Sequence, residues 1–251
     1  MISSDTDAIL QVFWRRTLLV IIGFGTGFLV SLFPWPTSQS RTIAKALSDV
    51  LHAEADHYAL LLTSWNHLED DVRLIPAVEG VALHLAEVLA QLHSPIENLS
   101  FEFSSSAFDK KTCTKIKSSL EQINRNLTIV HILGASLPKE LRDRFAKATG
   151  LLHHRTTADI MVTFSIIEQA MKTGDALPSR MPTPLVVRSL EHGRNADVVT
   201  LTKNMLRDRQ FRIYAVMVGS YMGVLSLLDE LVLVLKEELG EAYVVPQEVE
   251  V

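Results

Sequence analysis

The sequence predicts an all-α fold: one apolar transmembrane helix followed by a helical, bundle-like domain. Three observations carry this. Apolar residues recur at three- and four-residue spacing from about residue 44 to residue 235, the period of one helix face. Strand-like alternation is missing over any useful length. The run Thr17 to Phe33 holds no charged residue, and the 251-residue chain has a mean hydropathy of +0.19 despite 21% charged residues.

The uncharged run contains "VIIGFGTGFLV", in which Gly23, Gly25 and Gly27 alternate. A dinucleotide-binding turn needs a strand before the glycines, a helix after them and an acidic residue about 20 positions on. Here both flanks are apolar, no G-x-G-x-x-G register is completed, and Pro34 and Pro36 end the run. A membrane span fits better. Trp14 and Trp35 bracket the run at a separation of roughly 31 Å at ~1.5 Å per helical residue, about one hydrocarbon thickness. Indole rings favour that interface, and Arg15 and Arg16 are placed to reach headgroups. A cleaved signal would need small residues after the run, where "SLFPWPTSQS" offers bulky ones. Gly23 and Gly27 form a G-x-x-x-G pair on one face, the spacing that lets a neighbouring helix backbone approach. The expected division is residues 1–36, the short N-terminal segment and span, and residues 37–251, the helical domain.

The body reads as successive helices. Thr37, Ser38 and Ser40 are possible caps for a stripe of Ala44, Leu47, Leu51, Tyr58, Leu61 and Trp65. A second stripe runs Val81, Leu85, Val88, Leu92, and a third Ile116, Leu120, Ile123, Leu127, Val130, with Gly134 as its stop. Pro138 opens a helix that Gly150 ends, and a further one covers Thr156 to Lys172 before Gly174. "DALPSRMPTPL" is a proline-punctuated loop, and a last helix runs to Gly240. Within it, "IYAVMVGSYMGVLSLL" (213–228) is long enough to raise a second span. Asp229 and Glu230 interrupt it, however, and Val224, Leu228, Leu231 and Leu235 carry one stripe through those charges. This favours a central helix buried in the domain, with Gly219 and Gly223 allowing close packing. Asp229 and Glu230 are expected to pair with, or cap, basic partners such as Arg207 or Arg212.

A net charge of −5 excludes a nucleic-acid binder carried by bulk charge. Residues 41–100 hold three Lys or Arg against nine Asp or Glu, and residues 101–160 hold ten against six. Lys110, Lys111, Lys115 and Lys117 read as a solvated helix face, with anionic lipid headgroups as the alternative contact. Cys113, the single cysteine, excludes an intrachain disulfide; its lysine neighbours could lower its pKa, but with no positioned base it reads as an incidental thiol. His52 and His57 lie five apart, the wrong spacing for ligands on one helix face. They and the adjacent His153 and His154 read as partly exposed histidines. With no G-x-S-x-G, H-E-x-x-H or phosphate loop, neither an enzyme activity, a metal nor a cofactor is expected.

Three stretches together carry a family resemblance: "FWRRTLLVIIGFGTGFLVSLFPWPTSQSRT", "MKTGDALPSRMPTPL" and "FRIYAVMVGSYMGVLSLLDELVLVLKEELGE". The chain resembles the C-terminal part of a fungal membrane-protein family. It is the aromatic acid exporter family of the fusaric-acid-resistance type, also described as endoplasmic-reticulum transporters related to yeast brefeldin A sensitivity. Trp35 departs from that family's pattern. The resemblance implies that the first stretch is the last helix of a multi-helix membrane domain and the remainder a cytosolic helical domain. It further implies a truncated chain, not transport-competent alone, in the endoplasmic reticulum or plasma membrane.

The residues by themselves fit a second reading, a single-span membrane-anchored interaction domain with no transport activity. Both readings make the lipid bilayer a partner, and the G-x-x-x-G face adds other transmembrane helices or subunits. Local charge mildly favours a cytosolic N-terminus, because Arg15 and Arg16 lie closer to the span than Arg41 and Lys45. The resemblance puts the C-terminal domain in the cytosol instead. Two sequons, Asn98-Leu99-Ser100 and Asn126-Leu127-Thr128, make the orientation testable.

Overall fold

The computed structural model describes residues 3–32, 39–65, 74–101, 108–193 and 207–242. The fold is all-α, and the chain divides into two compact units, Met1–Gln39 and Ser40–Val251. The first unit is helix α1 (Ser3–Leu32). The second contains α2 (Gln39–Trp65), α3 (Leu74–Gln91), α4 (His93–Asn98, extended by a 3-10 turn over Leu99–Phe101) and α5 (Lys110–Ser136). It continues through α6 (Lys139–Thr149), α7 (His154–Thr173), α8 (Leu185–Gly193) and α9 (Arg209–Leu239). A two-residue parallel ladder joins β1 (Leu177–Pro178) to β2 (Glu241–Ala242), with Leu177 opposite Glu241.

Local signals set the helix ends. Asp109 caps α5, its carboxylate accepting from the Thr112 amide at 2.6 Å, and Asp208 caps α9 by accepting from the Gln210 amide at 3.0 Å. Pro138 caps α6, its carbonyl accepting from the Leu141 and Arg142 amides at 3.0 Å. Gly150 (φ 62°) and Gly174 (φ 77°) close α6 and α7 in the left-handed region, which costs a residue without Cβ little. Gly134 does not stop α5. It lies buried inside the helix, which runs on to Ser136, and its carbonyl accepts from Leu137. Thr37 and Ser38 lie outside the described residues.

The centre of the body is α9, packed chiefly on α5 and also against α6, α7 and α8. Its stripe of Val224, Leu228, Leu231 and Leu235 is fully buried, as is the α5 stripe of Ile116, Leu120, Ile123, Leu127 and Val130. Each such side chain contributes on the order of 2 kcal/mol by leaving water. By length and composition α9 is apolar enough to cross a membrane, but 44% of its apolar window is buried inside the protein. Helix α2 closes the core through aromatic rings. Trp65 stacks on Phe145 at 5.2 Å, Phe145 meets Tyr221 edge-on at 5.8 Å, and Tyr58 lies 6.3 Å from Phe164.

Two details differ from the sequence reading. Helix α3 buries Val78, Ala82, Leu85 and Leu89, whereas Val81, Val88 and Leu92 of the expected stripe are only partly buried. Of the two α9 glycines, Gly223 alone sits at a close approach: a Cβ there would lie 2.8 Å from Nδ2 of Asn126 on α5, while one at Gly219 meets nothing within 4 Å. The atom met is the free end of a half-buried side chain that can turn aside, so Gly223→Leu is expected to lower the stability of the full chain by about 1 kcal/mol. Gly219→Leu should be neutral or stabilising through helix propensity. Thermal denaturation in detergent micelles that ranks the two in the opposite order would contradict the close approach.

Candidate functional site

On α1, large apolar side chains are exposed around the helix, with Leu19 at 68%, Ile21 at 63%, Phe24 at 78% and Phe28 at 68%. Trp14, Arg15 and Arg16 are exposed one turn before this surface. Gly23 and Gly27 share one face, and a Cβ at either would meet no heavy atom within 4 Å. The hydroxyls are turned inward: Thr17 donates to the Phe13 carbonyl at 3.0 Å, and Thr26 to that of Ile22 at 2.8 Å. The apolar surface is thus not broken by unsatisfied hydroxyls, as a hydrocarbon environment requires. Trp35 lies outside the described residues.

Inside the body, α2 and α5 bury a polar cluster that spacing alone did not single out. Glu54 and His57 are both fully buried, with Oε2 and Nδ1 3.8 Å apart, too far for a hydrogen bond. Neither the Glu54 carboxyl nor the rings of His57 and His131 have a hydrogen-bond partner. The buried Tyr58 and Tyr221 hydroxyls, on α2 and α9, meet at 3.2 Å. Burial pushes the Glu54 carboxyl well above its usual range and lowers His57 to about 4. His131 is also lowered to about 4, by burial first and then by nearby His57. Tyr58 is pushed up to about 12 by burial, against the opposing pull of the Tyr221 hydrogen bond. The apolar surroundings therefore favour the uncharged form of every group. Such a sealed cluster can couple the packing of α2 and α5 to protonation. Among the described residues, no group of three His, Cys, Asp or Glu side chains is placed to hold a metal ion.

His57 is thus a core residue, not a partly exposed one. His52 is exposed and bonds Glu168 on α7 at 3.1 Å. His153 and His154 are exposed, and their rings stack at 4.9 Å, because His153 adopts an extended backbone as the α7 cap. The Glu54 signal was present in the sequence. Leu47, Leu51, Glu54, Tyr58, Leu61 and Trp65 keep a continuous four-three rhythm, so Glu54 occupies a core position. His131 follows Leu127 by four residues on the core side of α5.

Asp229 and Glu230 point to separate partners. Asp229 accepts from the Leu185 amide at 2.8 and 2.9 Å and from the Val186 amide at 3.4 Å, which caps α8 just after the cis Thr183–Pro184 bond. Burial raises its carboxyl above the ordinary value, with these amides pulling the other way. Glu230 pairs with Lys115 at 3.2 Å on the half-exposed surface. The anticipated arginines, Arg207 and Arg212, are exposed. Further ties fix the same loop: Lys236 donates to the Ser179 carbonyl at 3.1 Å and pairs with Glu241 at 3.1 Å. Helix α8 is also held by Arg188 on Asp159 at 2.8 Å and by Ser189 on the Thr149 carbonyl at 2.5 Å. The stretches "MKTGDALPSRMPTPL" and "LLDELVLVLKEELGE" therefore meet in space.

The basic cluster is largely internally paired, Lys110 with Glu97 at 2.6 Å, Lys115 with Glu230, and Lys117 with Glu121 at 2.5 Å. The lysine neighbours do not lower the Cys113 pKa. The thiol is fully buried, and burial followed by Asp109 pushes it up to about 12.

A single-core all-α body, preceded in sequence by an exposed apolar helix, defines the class. The chain belongs to the Brefeldin A-sensitivity protein 4-like domain family, whose profile matches residues 38–243. An uncharacterized protein of Schizosaccharomyces pombe is 24% identical over 257 residues, covering 93% of this chain and 18% of that protein. The chain thus spans less than a fifth of the curated relative it matches. No solved structure matches it. The family match agrees with the brefeldin A part of the resemblance; neither match names an exporter.

The buried histidines make stability pH-dependent. Their folded-state values lie below the ordinary 6.5, so their contribution is complete above pH 6.5 and is lost as pH falls towards 4. Glu54 acts with the opposite sign, its contribution being lost as pH rises above 4.5. His131→Leu should flatten the loss of thermal stability between pH 6.5 and 4.5 by up to roughly 1.4 kcal/mol per pH unit. An unchanged slope in denaturation of the full chain would show that His131 is not buried in neutral form.

Proposed function

We propose that this chain is the membrane-anchored helical domain of a larger membrane protein. In this reading α1 crosses the bilayer, and the body from residue 40 onward is a cytosolic domain at the endoplasmic reticulum or plasma membrane. The observation that carries it is the exposed apolar surface of α1, from Leu18 through Phe28. So large a contiguous surface is not left to water by a soluble helix. The small share of the fission-yeast relative that the chain spans fits one part of a larger assembly. Gly23 and Gly27 then offer the face for further transmembrane helices. The finer reading, organic or aromatic acid export, rests on the resemblance alone. In it the remaining membrane helices form the pathway, and this chain is not transport-competent by itself.

A second reading, an anchored interaction domain with no transport role, is favoured by the burial of α9. Among the described residues α9 is the one helix long and apolar enough to cross a membrane; with it in the core of the body, this reading gives the anchoring role to the exposed apolar surface of α1.

Orientation is read from glycosylation in a eukaryotic host. Asn98 is exposed and is the informative acceptor, while the Asn126 amide lies against Gly223, where a glycan would force α5 and α9 apart. Asn98 should stay unmodified, and a sequon added in an N-terminal extension should be used. A glycosidase-sensitive shift that disappears in Asn98→Gln would put the body in the lumen.

A further inference from the structure

Charge is divided unevenly between the two ends of the body. Helix α9 runs antiparallel to α5: Thr112 donates to Glu238 at 3.0 Å, and Gly223 lies against Asn126. The start of α9 therefore lies where α5 passes into α6. Helix α7 runs antiparallel to α2, with His52 on Glu168 at 3.1 Å and Tyr58 6.3 Å from Phe164. The start of α7 is thus level with Trp65, which stacks on Phe145 of α6 at 5.2 Å. Phe145 in turn meets Tyr214 of α9 edge-on at 6.5 Å. Helices α6, α7 and α9 so bring their charges to one end of the body.

That end is basic in a chain of net charge −5. Lys139, Arg144 and Lys147 come from α6 and Arg155 from α7, and Arg207, Arg209 and Arg212 stand at the start of α9. All are exposed except half-buried Arg144, and none is paired with a carboxylate among the described residues. At the opposite end, by contrast, Lys110, Lys115 and Lys236 each hold one. The acids of the basic end are Glu140, Asp143, Glu191 and Asp208, and Asp208 is engaged as the α9 cap. Residues 66–73 and 194–206 adjoin this end in sequence and lie outside the described residues. Together they hold four acids against three bases, which leaves its sign unchanged. Leu152, in the turn between Lys147 and Arg155, is 45% exposed and adds an apolar side chain to the cations.

We propose that this end of the body docks on an anionic lipid surface, with its lysines and arginines on the headgroups and Leu152 in the headgroup layer. Cations around an exposed apolar side chain suit that layer, where the charges meet anionic lipid and the leucine leaves water. A polyanion in solution would meet the charges and leave Leu152 wet. The contact uses no residue of α1, so it goes beyond the anchoring reading and does not require it.

The full chain is held in phosphatidylcholine nanodiscs and mixed with sucrose-loaded vesicles, which sediment while free nanodiscs do not. The protein should sediment with vesicles holding about 30% phosphatidylserine and not with pure phosphatidylcholine, and about 0.5 M salt should release it. Lys147→Glu, Arg209→Glu and Arg212→Glu together should weaken binding at least about tenfold at an unchanged melting temperature. Arg41→Glu, Lys45→Glu and Lys111→Glu make the same change of charge at exposed positions of the opposite end, and should leave binding within about twofold. Leu152→Ser, which changes no charge, should weaken it about threefold. Equal sedimentation with both vesicles, equal loss in the two triple variants, no effect of Leu152→Ser, or capture by double-stranded DNA but not by vesicles would each overturn the proposal.

Discussion

The body is built around the burial of α9. A 31-residue helix whose apolar window is long enough for a bilayer has two physical refuges, lipid or other protein. Here α5, with α6, α7 and α8, provides the second. Val224, Leu225, Leu228, Leu231 and Leu235 are fully buried, and Tyr221 meets both the Tyr58 hydroxyl and the Phe145 ring. Removing α9 would expose together the faces of α5, α6, α7 and α8 that pack on it.

The same helix organises the polar part of the fold. Asp229 leaves the apolar stripe to cap α8, and Lys236, nearly two turns further on, clasps the Ser179 carbonyl and Glu241. A proline-rich loop with little regular structure of its own is thereby fastened at both ends to the central helix. This gives a physical reason for two of the stretches that carry the family resemblance: one is the loop and the other supplies its fasteners. The buried Glu54, His57 and His131 cluster is a different kind of feature. It is polar without being paired, and its uncharged state links the α2–α5 packing to pH.

Much of this was legible in the sequence. Long stripes with one apolar face, on α2, α5 and α9, were read in register because their opposite faces are polar. Helix α3 was read one face off. It is apolar on several sides, Ala82 is too small to mark the core, and Leu83 is large but exposed. Pairwise geometry was harder to read. Spacing suggested arginine partners for Asp229, but backbone amides 44 and 43 positions away supply its bonds. Lysines adjacent in sequence could have lowered the Cys113 pKa, yet the thiol faces the core while the lysines face solvent or acidic partners. Gly219 and Gly223 look equivalent in sequence; only the crossing of α5 distinguishes them.

The central claim is that α9 is a protein-buried core helix with one wetted face, not a membrane span. Cysteine labelling in freeze-thaw-opened membranes tests it most directly, since the native Cys113 is fully buried and gives little background. Single cysteines at Val216 and Leu233, 53% and 66% exposed, and at exposed Ser226 between them, should react readily with a membrane-impermeant maleimide. A cysteine at Leu228 should react only after denaturation. Protection of Ser226→Cys together with Leu228→Cys, while a lipid-permeant maleimide labels Ser226→Cys, would instead put α9 in the bilayer and contradict the account.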